Sequence, residues 1–251
     1  MPEATFRFYE ELNDFLPTER RKHPFSHRFR GDRSIKAVVE AIGVPHTEID
    51  VILVDGRSVG FDELLSGGER ISVYPVFERL DVSPLIRLRA RPLRRTRFVV
   101  DVHLERLGRY LRMVGIDALS PADSEDAAIV ETSLTEGRIV LTRDRGLLQR
   151  ARLQRARWIR SRKPREQLME VIRCFQLEGS LAPFSRCLVC NTSLKPASST
   201  VVKQLVSSPL RVSQAGFASC PGCGRVYWQG THYWRMRQWL DQLGLSGEPV
   251  R

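Results

Sequence analysis

The alternation of apolar and polar residues along the first third of the chain predicts a small β-rich unit. Residues 4–77 give the order strand, strand, helix, strand, strand. Ser34 is a good N-cap for the helix IKAVVEAI, and Gly43 ends it. The predicted strands and helix cover residues 5–9, 27–29, 35–42, 49–54 and 71–76. This order is typical of a compact α+β module.

The pattern changes after residue 96 to short apolar strands that alternate with helices. The helices have their apolar residues at helical spacing, as in HLERLGRYLRMVG, and the strands are rich in β-branched residues. Alternating β-α-β-α-β elements predict a parallel sheet with right-handed crossovers. The predicted elements are strands near 98–101, 116–119, 138–141 and 158–159, with helices near 104–114, 126–135, 146–151 and from Pro164. The expected fold class is α/β.

Two of these strands stop on an aspartate, Asp101 and Asp144. Parallel strands place their carboxyl ends along one sheet edge, where open α/β sheets bind ligands. Asp126, at the start of a helix, brings a third carboxylate. Three such anions repel one another unless a cation lies between them, and hard oxygen ligands favour Mg²⁺ or Mn²⁺. The pattern predicts a phosphodiester-cleaving metal site; alternatively, each aspartate only ends a strand or caps a helix.

The charge is unevenly distributed. Residues 1–80 hold 11 Lys and Arg against 14 Asp and Glu, net −3, whereas residues 81–251 hold 29 against 15, net +14. A region this basic usually meets a polyanion such as nucleic acid. No apolar run approaches the roughly 20 residues that span a bilayer, and the first residues show no signal core. We therefore expect no membrane partner and a reducing, cytoplasmic location.

Arginines near the predicted site are candidates for phosphate contact, although a solvated surface is an equal alternative. From Arg138 to Arg165 there are eleven Lys and Arg and one acid, Asp144. Beside that acid, Thr142 would orient a ligand and Arg143 would stabilise developing charge. The predicted substrate-binding residues are Arg106, Arg109, Arg112 and Arg145.

Four cysteines form two CxxC pairs, Cys187 with Cys190 and Cys220 with Cys223. Two such pairs supply the tetrahedral thiolate set of structural Zn²⁺, and a hairpin insertion would absorb the 29 residues between them. Two disulfides are the alternative, which a reducing compartment disfavours. The aromatics that follow, in VYW and HYW, interleave with arginines. They would either stack RNA bases or pack the small ribbon.

The front segment VDGRSVGFDELLSGGERISVYP resembles the ubiquitin-like fold of small sulfur carriers, but it lacks their terminal diglycine. The segments FVVDVHLERLGRYLRMVGID, SEDAAIVETSLTEGRIVLTRDRGLL, CLVCN and CPGCGRVYWQGTH resemble the Mut-seven C-terminal ribonuclease family. This resemblance implies a PIN-like nuclease domain with a zinc ribbon, preceded by a ubiquitin-like domain. It implies that Asp101, Asp126 and Asp144 bind Mg²⁺ or Mn²⁺ and hydrolyse RNA.

These observations predict a metal-dependent ribonuclease with RNA as its partner and structural Zn²⁺. The alternative is a non-catalytic RNA-binding protein with a zinc ribbon. Sulfur transfer is disfavoured because the diglycine is missing, and a protein partner for the front domain is expected from its fold. The predicted domains are a ubiquitin-like β-grasp domain at 1–80, a basic linker at 81–96, a PIN-like domain at 97–180 and a zinc ribbon at 181–245.

Overall fold

The computed structural model divides the chain into two compact units. The first contains Met1–Arg95 and Val130–Trp158, and the second contains Thr96–Ile129 and Ile159–Arg251. The structure describes residues 1–75, 85, 86, 88, 96–121, 125–150, 152–198, 200–202 and 216–246. Most of the predicted basic linker and most of the predicted hairpin insertion between the cysteine pairs therefore lie outside the described residues.

A mixed five-stranded sheet forms the front module, residues 1–75. Its order is β2-β1-β7-β4-β5, with β1 parallel to β7 and the other pairs antiparallel. A separate antiparallel pair consists of β3, which precedes the helix α1, and β6. The elements are β1 (Glu3–Phe8), β2 (Phe25–Arg28), β3 (Arg33–Ser34), α1 (Ile35–Ile42), β4 (Ile49–Val54), β5 (Arg57–Val59), β6 (Leu64–Leu65) and β7 (Arg70–Pro75). This topology is a ubiquitin-like β-grasp, as the sequence predicted.

Local signals explain why these segments form their elements. The Ser34 hydroxyl accepts a hydrogen bond from the Ala37 amide, and Gly43 ends α1 with φ +107°. Alternate residues of β1, Phe6 and Phe8 among them, are buried, so one face of the strand builds the core. The sequence analysis did not predict the short strand β5, which pairs with β4.

The first unit also contains a parallel pair from the middle of the chain. Strand β10 (Ile139–Thr142) pairs with β11 (Ala156–Trp158), with Val140 opposite Ala156. The short helix α4 (Arg145–Leu148) connects them and packs against both strands. Parallel pairing across a helical connection is the predicted arrangement.

The second unit contains another parallel pair and the ribbon. Strands β8 and β9 are parallel, and α2 between them packs against α5, which begins at Pro164 as predicted. The described part of the predicted ribbon has a three-stranded antiparallel sheet and a final helix. The elements are β8 (Phe98–Val100), α2 (Glu105–Met113), β9 (Ala118–Leu119), α3 (Asp126–Glu136, shared by both units), α5 (Pro164–Cys174), β12 (Lys195–Pro196), β13 (Ala218–Ser219), β14 (Val226–Tyr227) and α6 (Thr231–Asp241).

The ribbon is tied to the turn that follows α2. Backbone amides of Ala182 and Phe184 donate to the carbonyls of Val114 and Met113, at 3.0 and 2.8 Å. Gly115 has φ +89°, and a Cβ there would lie 2.2 Å from the Ala182 carbonyl oxygen. Only glycine therefore permits this close backbone approach.

A second tie runs through one amide side chain. The Asn191 Oδ1 accepts from the Ala118 amide at 3.1 Å, and its Nδ2 donates to Asp117 Oδ1 at 2.7 Å. Asp117 also pairs with Arg186 at 3.6 Å. Asn191 is buried, so each of these polar groups needs its partner.

Replacing Gly115 with alanine should lower the free energy of unfolding of the second unit by about 3 kcal/mol, since strain at positive φ and overlap with Ala182 add together. Gly31→Ala is the matched control, because Gly31 has φ +62° and open space around its Cα. It should cost about 1 kcal/mol. Urea denaturation followed by fluorescence measures both. Equal losses would contradict the close approach.

Candidate functional site

Asp101 follows directly after β8 and is held by the turn that it starts. Its Oδ1 accepts from the His103 amide at 3.3 Å, which caps the 3₁₀ turn Val102–Leu104. The residue is buried, with 5% of its surface exposed. The end of the strand and the cap together orient this carboxylate.

Asp144 stands two residues after the last residue of β10 and is exposed. Its Oδ1 accepts from the Gly146 amide at 2.7 Å and caps α4. Its own amide donates to the Thr142 hydroxyl at 2.9 Å, and Thr142 is fully buried. Thr142, a predicted site residue, therefore helps to fix the conformation of the Asp144 loop through its buried hydroxyl.

Both strand-end aspartates are thus helix or turn caps, and this does not preclude metal binding. A cap uses one acceptor position of a carboxylate that has about four. Asp126 is the first residue of α3 and is half-buried. Asp101 and Asp126 belong to the second unit and Asp144 to the first. Their convergence on one cation stays a prediction, and the carboxylate donor set is the type that Mg²⁺ or Mn²⁺ prefers.

The residues on both sides of Asp144 are held by Trp158 and the front module. The Trp158 indole donates to the Arg143 carbonyl at 3.3 Å. The Arg145 guanidinium lies 4.7 Å from the Trp158 ring and 5.3 Å from the Phe15 ring. It also donates to the Asp14 carbonyl at 3.1 Å. Arg145, predicted to bind substrate, is in this structure part of the support of the loop.

Three consecutive residues of the front module reach the segment around α4 and β11. The Glu48 carboxylate, 0% exposed, accepts from the Trp158 amide at 2.6 Å and pairs with Arg157 at 3.5 Å. The Thr47 hydroxyl donates to the Leu148 carbonyl. His46 Nε2 lies 2.8 Å from the Leu153 carbonyl, which makes it the donor. Sequence reasoning missed Glu48, because nothing in its neighbourhood distinguishes it from a surface acid.

The predicted arginine flank of α2 is only partly at the surface. Arg106 and Arg109 are exposed, and Arg109 forms an i,i+4 pair with Glu105. Arg112 is 3% exposed, and its guanidinium donates to the Ala118 carbonyl at 3.1 Å. Burial lowers the pKa of Arg112 from its ordinary value. The structure therefore gives Arg112 a role in packing, in place of the predicted phosphate contact.

The four cysteines come together as predicted. Their sulfurs all lie within 4.8 Å of one another, with Cys187 to Cys223 at 3.6 Å and Cys190 to Cys220 at 3.3 Å. Zn–S bonds of about 2.3 Å in a tetrahedron require sulfurs about 3.8 Å apart. The cluster can therefore hold zinc, and its geometry fits that ion.

Each CxxC pair forms the same knuckle. The residue after the second cysteine, Asn191 or Gly224, has positive φ, and its amide donates back to the carbonyl of the first cysteine. Burial acts to raise the pKa of Cys190, but hydrogen bonds with Thr192, Cys220 and Cys187 together outweigh it and lower this pKa to about 6. The Arg225 backbone acts to lower the pKa of Cys223, yet burial and the adjoining thiols raise it to about 12. Four thiols this close together cannot all lose their protons without strong repulsion, and a cation between them would stabilise the four thiolates.

Comparison with known families assigns the chain to a nuclease-like class of protein. The chain belongs to the Mut7-C RNase domain family, whose model matches residues 96–240. The Mut7-C ubiquitin model matches residues 1–81. The family and the order of its domains are those predicted from the sequence.

Other comparisons add little. The structure of small archaeal modifier protein 1 from H. volcanii matches 30% of this chain and 98% of its own, at 13% identity and a TM-score of 0.25. That score is too low to support an argument. No curated protein matches the chain. Within the described residues, no helix combines the length and apolar character needed to cross a bilayer.

Replacing Glu48 with glutamine should lower the free energy of unfolding of the first unit by about 2 kcal/mol, because it removes the fully buried anion beside Arg157, whereas the Glu11 carboxylate at 3.1 Å still pairs with that guanidinium. Glu63→Gln is the control, since Glu63 pairs with Arg57 at the surface and should cost less than about 1 kcal/mol. Urea unfolding and hydrogen exchange at the Trp158 amide are the measurements. An unchanged exchange rate at Trp158 would contradict the support that Glu48 is expected to give.

Replacing Cys187 with serine should remove bound zinc and unfold the ribbon, since metal binding supplies the folding free energy of such sites. Cys174→Ser is the control, because Cys174 lies in α5 outside the cluster. Zinc content by mass spectrometry and near-UV circular dichroism report the two effects. Zinc retained by the Cys187 variant would exclude a four-thiolate site.

Proposed function

We propose that this protein is a ribonuclease that hydrolyses RNA phosphodiester bonds with a Mg²⁺ or Mn²⁺ site formed by Asp101, Asp126 and Asp144. The observation that carries the proposal is the match of the Mut7-C RNase domain family over residues 96–240. The positions of Asp101 directly after β8 and of Asp144 two residues after β10 support it, because strand ends are where α/β sheets bind ligands.

The chain's own residues orient the reacting groups. The caps at His103 and Gly146 direct Asp101 and Asp144, and Thr142 holds the second of these loops through its hydroxyl. A divalent ion bound by these carboxylates would acidify a water molecule and neutralise charge on the phosphate. Capping fixes the carboxylates before substrate arrives, so little reorganisation is needed at the reaction step.

RNA is the proposed substrate because the matching family is an RNase domain family, and the strongly cationic sequence around Asp144 favours a polyanion. Eleven Lys and Arg lie between residues 138 and 165, and Arg106 and Arg109 are exposed on α2. Cationic residues raise the local concentration of a polyanion that isolated carboxylates would repel. We also propose a reducing compartment such as the cytoplasm, because the four cysteines of the cluster are free thiols there and available to a metal.

We assign the ubiquitin-like module a role within its own chain. Its residues His46, Thr47 and Glu48 support the segment that carries Asp144. A separate protein partner for this module stays a prediction.

A second candidate is a non-catalytic RNA-binding protein. One observation favours it: Asp101 and Asp144 both have structural duties as caps, so their presence does not by itself require a metal.

Replacing Asp144 with asparagine separates the two candidates. Asparagine keeps the cap, since its amide oxygen accepts the same hydrogen bond, but it removes the anionic ligand. Under the proposal, the variant loses RNA cleavage by about 100-fold or more while retaining RNA binding. Asp32→Asn, a change at an exposed acid of the front module, is the control.

The assay follows labelled single-stranded RNA with zinc-loaded protein, with Mg²⁺ or Mn²⁺ added or withheld. Chelation by EDTA is avoided because it would also strip the cysteine cluster. If the unmodified protein binds RNA and cleaves none under either metal, the non-catalytic candidate replaces the enzyme.

A further inference from the structure

The sheet of the ribbon borders a cleft of about 690 Å³. The cleft lies between the strands β12–β14 and the first turn of α6. Its size is in the range of ligand-binding clefts. Five aromatic side chains contribute to its walls, namely Phe184, Phe217, Tyr227, Trp228 and Tyr233.

The aromatic rings form two groups around the cleft. The Trp228 and Phe217 ring centroids are 6.5 Å apart, and those of Phe184 and Tyr233 are 4.5 Å apart. Trp228 keeps 36% of its surface exposed, so a flat ligand can reach it. The Tyr227 hydroxyl lies 3.0 Å from the Cys187 sulfur, which connects this wall directly to the cysteine cluster. The shape of the cleft therefore depends on an intact ribbon.

The charge around the cleft has one sign. Among the described residues that line it, Arg186 and Lys195 are cationic and none carries a carboxylate. Arg186 pairs with Asp117, so Lys195 is the cation that we assign to a ligand. Thr231 and His232 bring the first turn of α6 to the same cleft, and a helix N-terminus carries partial positive charge. Flat apolar walls beside positive charge fit a ligand that combines a planar ring with an anionic group.

We propose that this cleft binds an unpaired nucleobase of single-stranded RNA, stacked against Trp228, with the backbone phosphate beside Lys195. The inference rests on the proposed function in taking RNA as the substrate, and it adds a binding site in the ribbon. A base inside a duplex has both faces covered, so the cleft selects single strands. An apolar peptide would also fit the walls, but the net charge of +14 in residues 81–251 favours a polyanion.

The test compares two tryptophans of the ribbon in the Asp144→Asn background, where cleavage is expected to be off and zinc is undisturbed. Trp228→Ala should raise the Kd for single-stranded RNA of about eight nucleotides by about 5-fold or more, since one stacked base contributes about 1–3 kcal/mol. Trp228→Phe should restore most of the affinity. Trp234→Ala is the control, because Trp234 is 58% exposed and does not line the cleft.

Fluorescence anisotropy gives the Kd values, and zinc content verifies the ribbon in each variant. Duplex RNA should bind all variants alike. Equal Kd values for the Trp228→Ala and Trp234→Ala variants would overturn the inference. The same result is expected if the cleft binds a peptide and no RNA. If Trp228→Ala loses zinc, 4-thiouridine crosslinking of the Asp144→Asn protein decides: crosslinks within residues 216–236 support the site, and crosslinks elsewhere alone refute it.

This design separates the inference from the proposed function. Cleavage by the unmodified protein with no effect of Trp228→Ala on binding removes the cleft and keeps the nuclease. Weaker binding by Trp228→Ala, in a protein that cleaves no RNA with either metal, keeps the cleft and removes the nuclease.

Discussion

The segment that carries Asp144 depends on a buried carboxylate of the front module, that of Glu48. Placing an anion where water cannot reach it costs several kcal/mol unless it is paired and hydrogen-bonded. The Trp158 amide and the Arg157 guanidinium meet that requirement. Because Trp158 in turn contacts the Arg143 carbonyl and the Arg145 guanidinium, the position of the Asp144 loop follows from the position of Glu48. The front module thereby helps to fix the position of the segment that carries Asp144.

The strand-end aspartates show how one geometry serves two purposes. A carboxylate that caps a turn is already oriented, and its remaining acceptor positions keep the character of a hard metal ligand. Capping and metal binding are therefore compatible roles for Asp101 and Asp144. Asn191 also has two roles: its backbone amide completes a cysteine knuckle, and its side chain connects the ribbon to β9.

Local patterns in the sequence predicted local structure well. Ser34 and Gly43 mark the ends of α1, and the two CxxC pairs converge, because caps and knuckles depend on neighbouring residues. Long-range pairs had no such signal: Glu48 and Trp158 are 110 positions apart. Arg112 shows the limit of spacing arguments. Its spacing of three residues from Arg109 predicted a surface position. In the structure the Arg112 side chain lies against β9, where its guanidinium donates a hydrogen bond to the Ala118 carbonyl.

The discontinuity of the first unit in sequence affects the order in which the chain can fold during synthesis. The front module leaves the ribosome first, yet the contacts of Phe15 and Glu48 with Arg145 and Trp158 can form only when residues 145–158 have been made. Closing a contact over such a separation is slow, because the entropy of the long loop is lost before the contact is gained. Until then the nascent module lacks these long-range contacts, a state that a ribosome-associated chaperone is suited to shield.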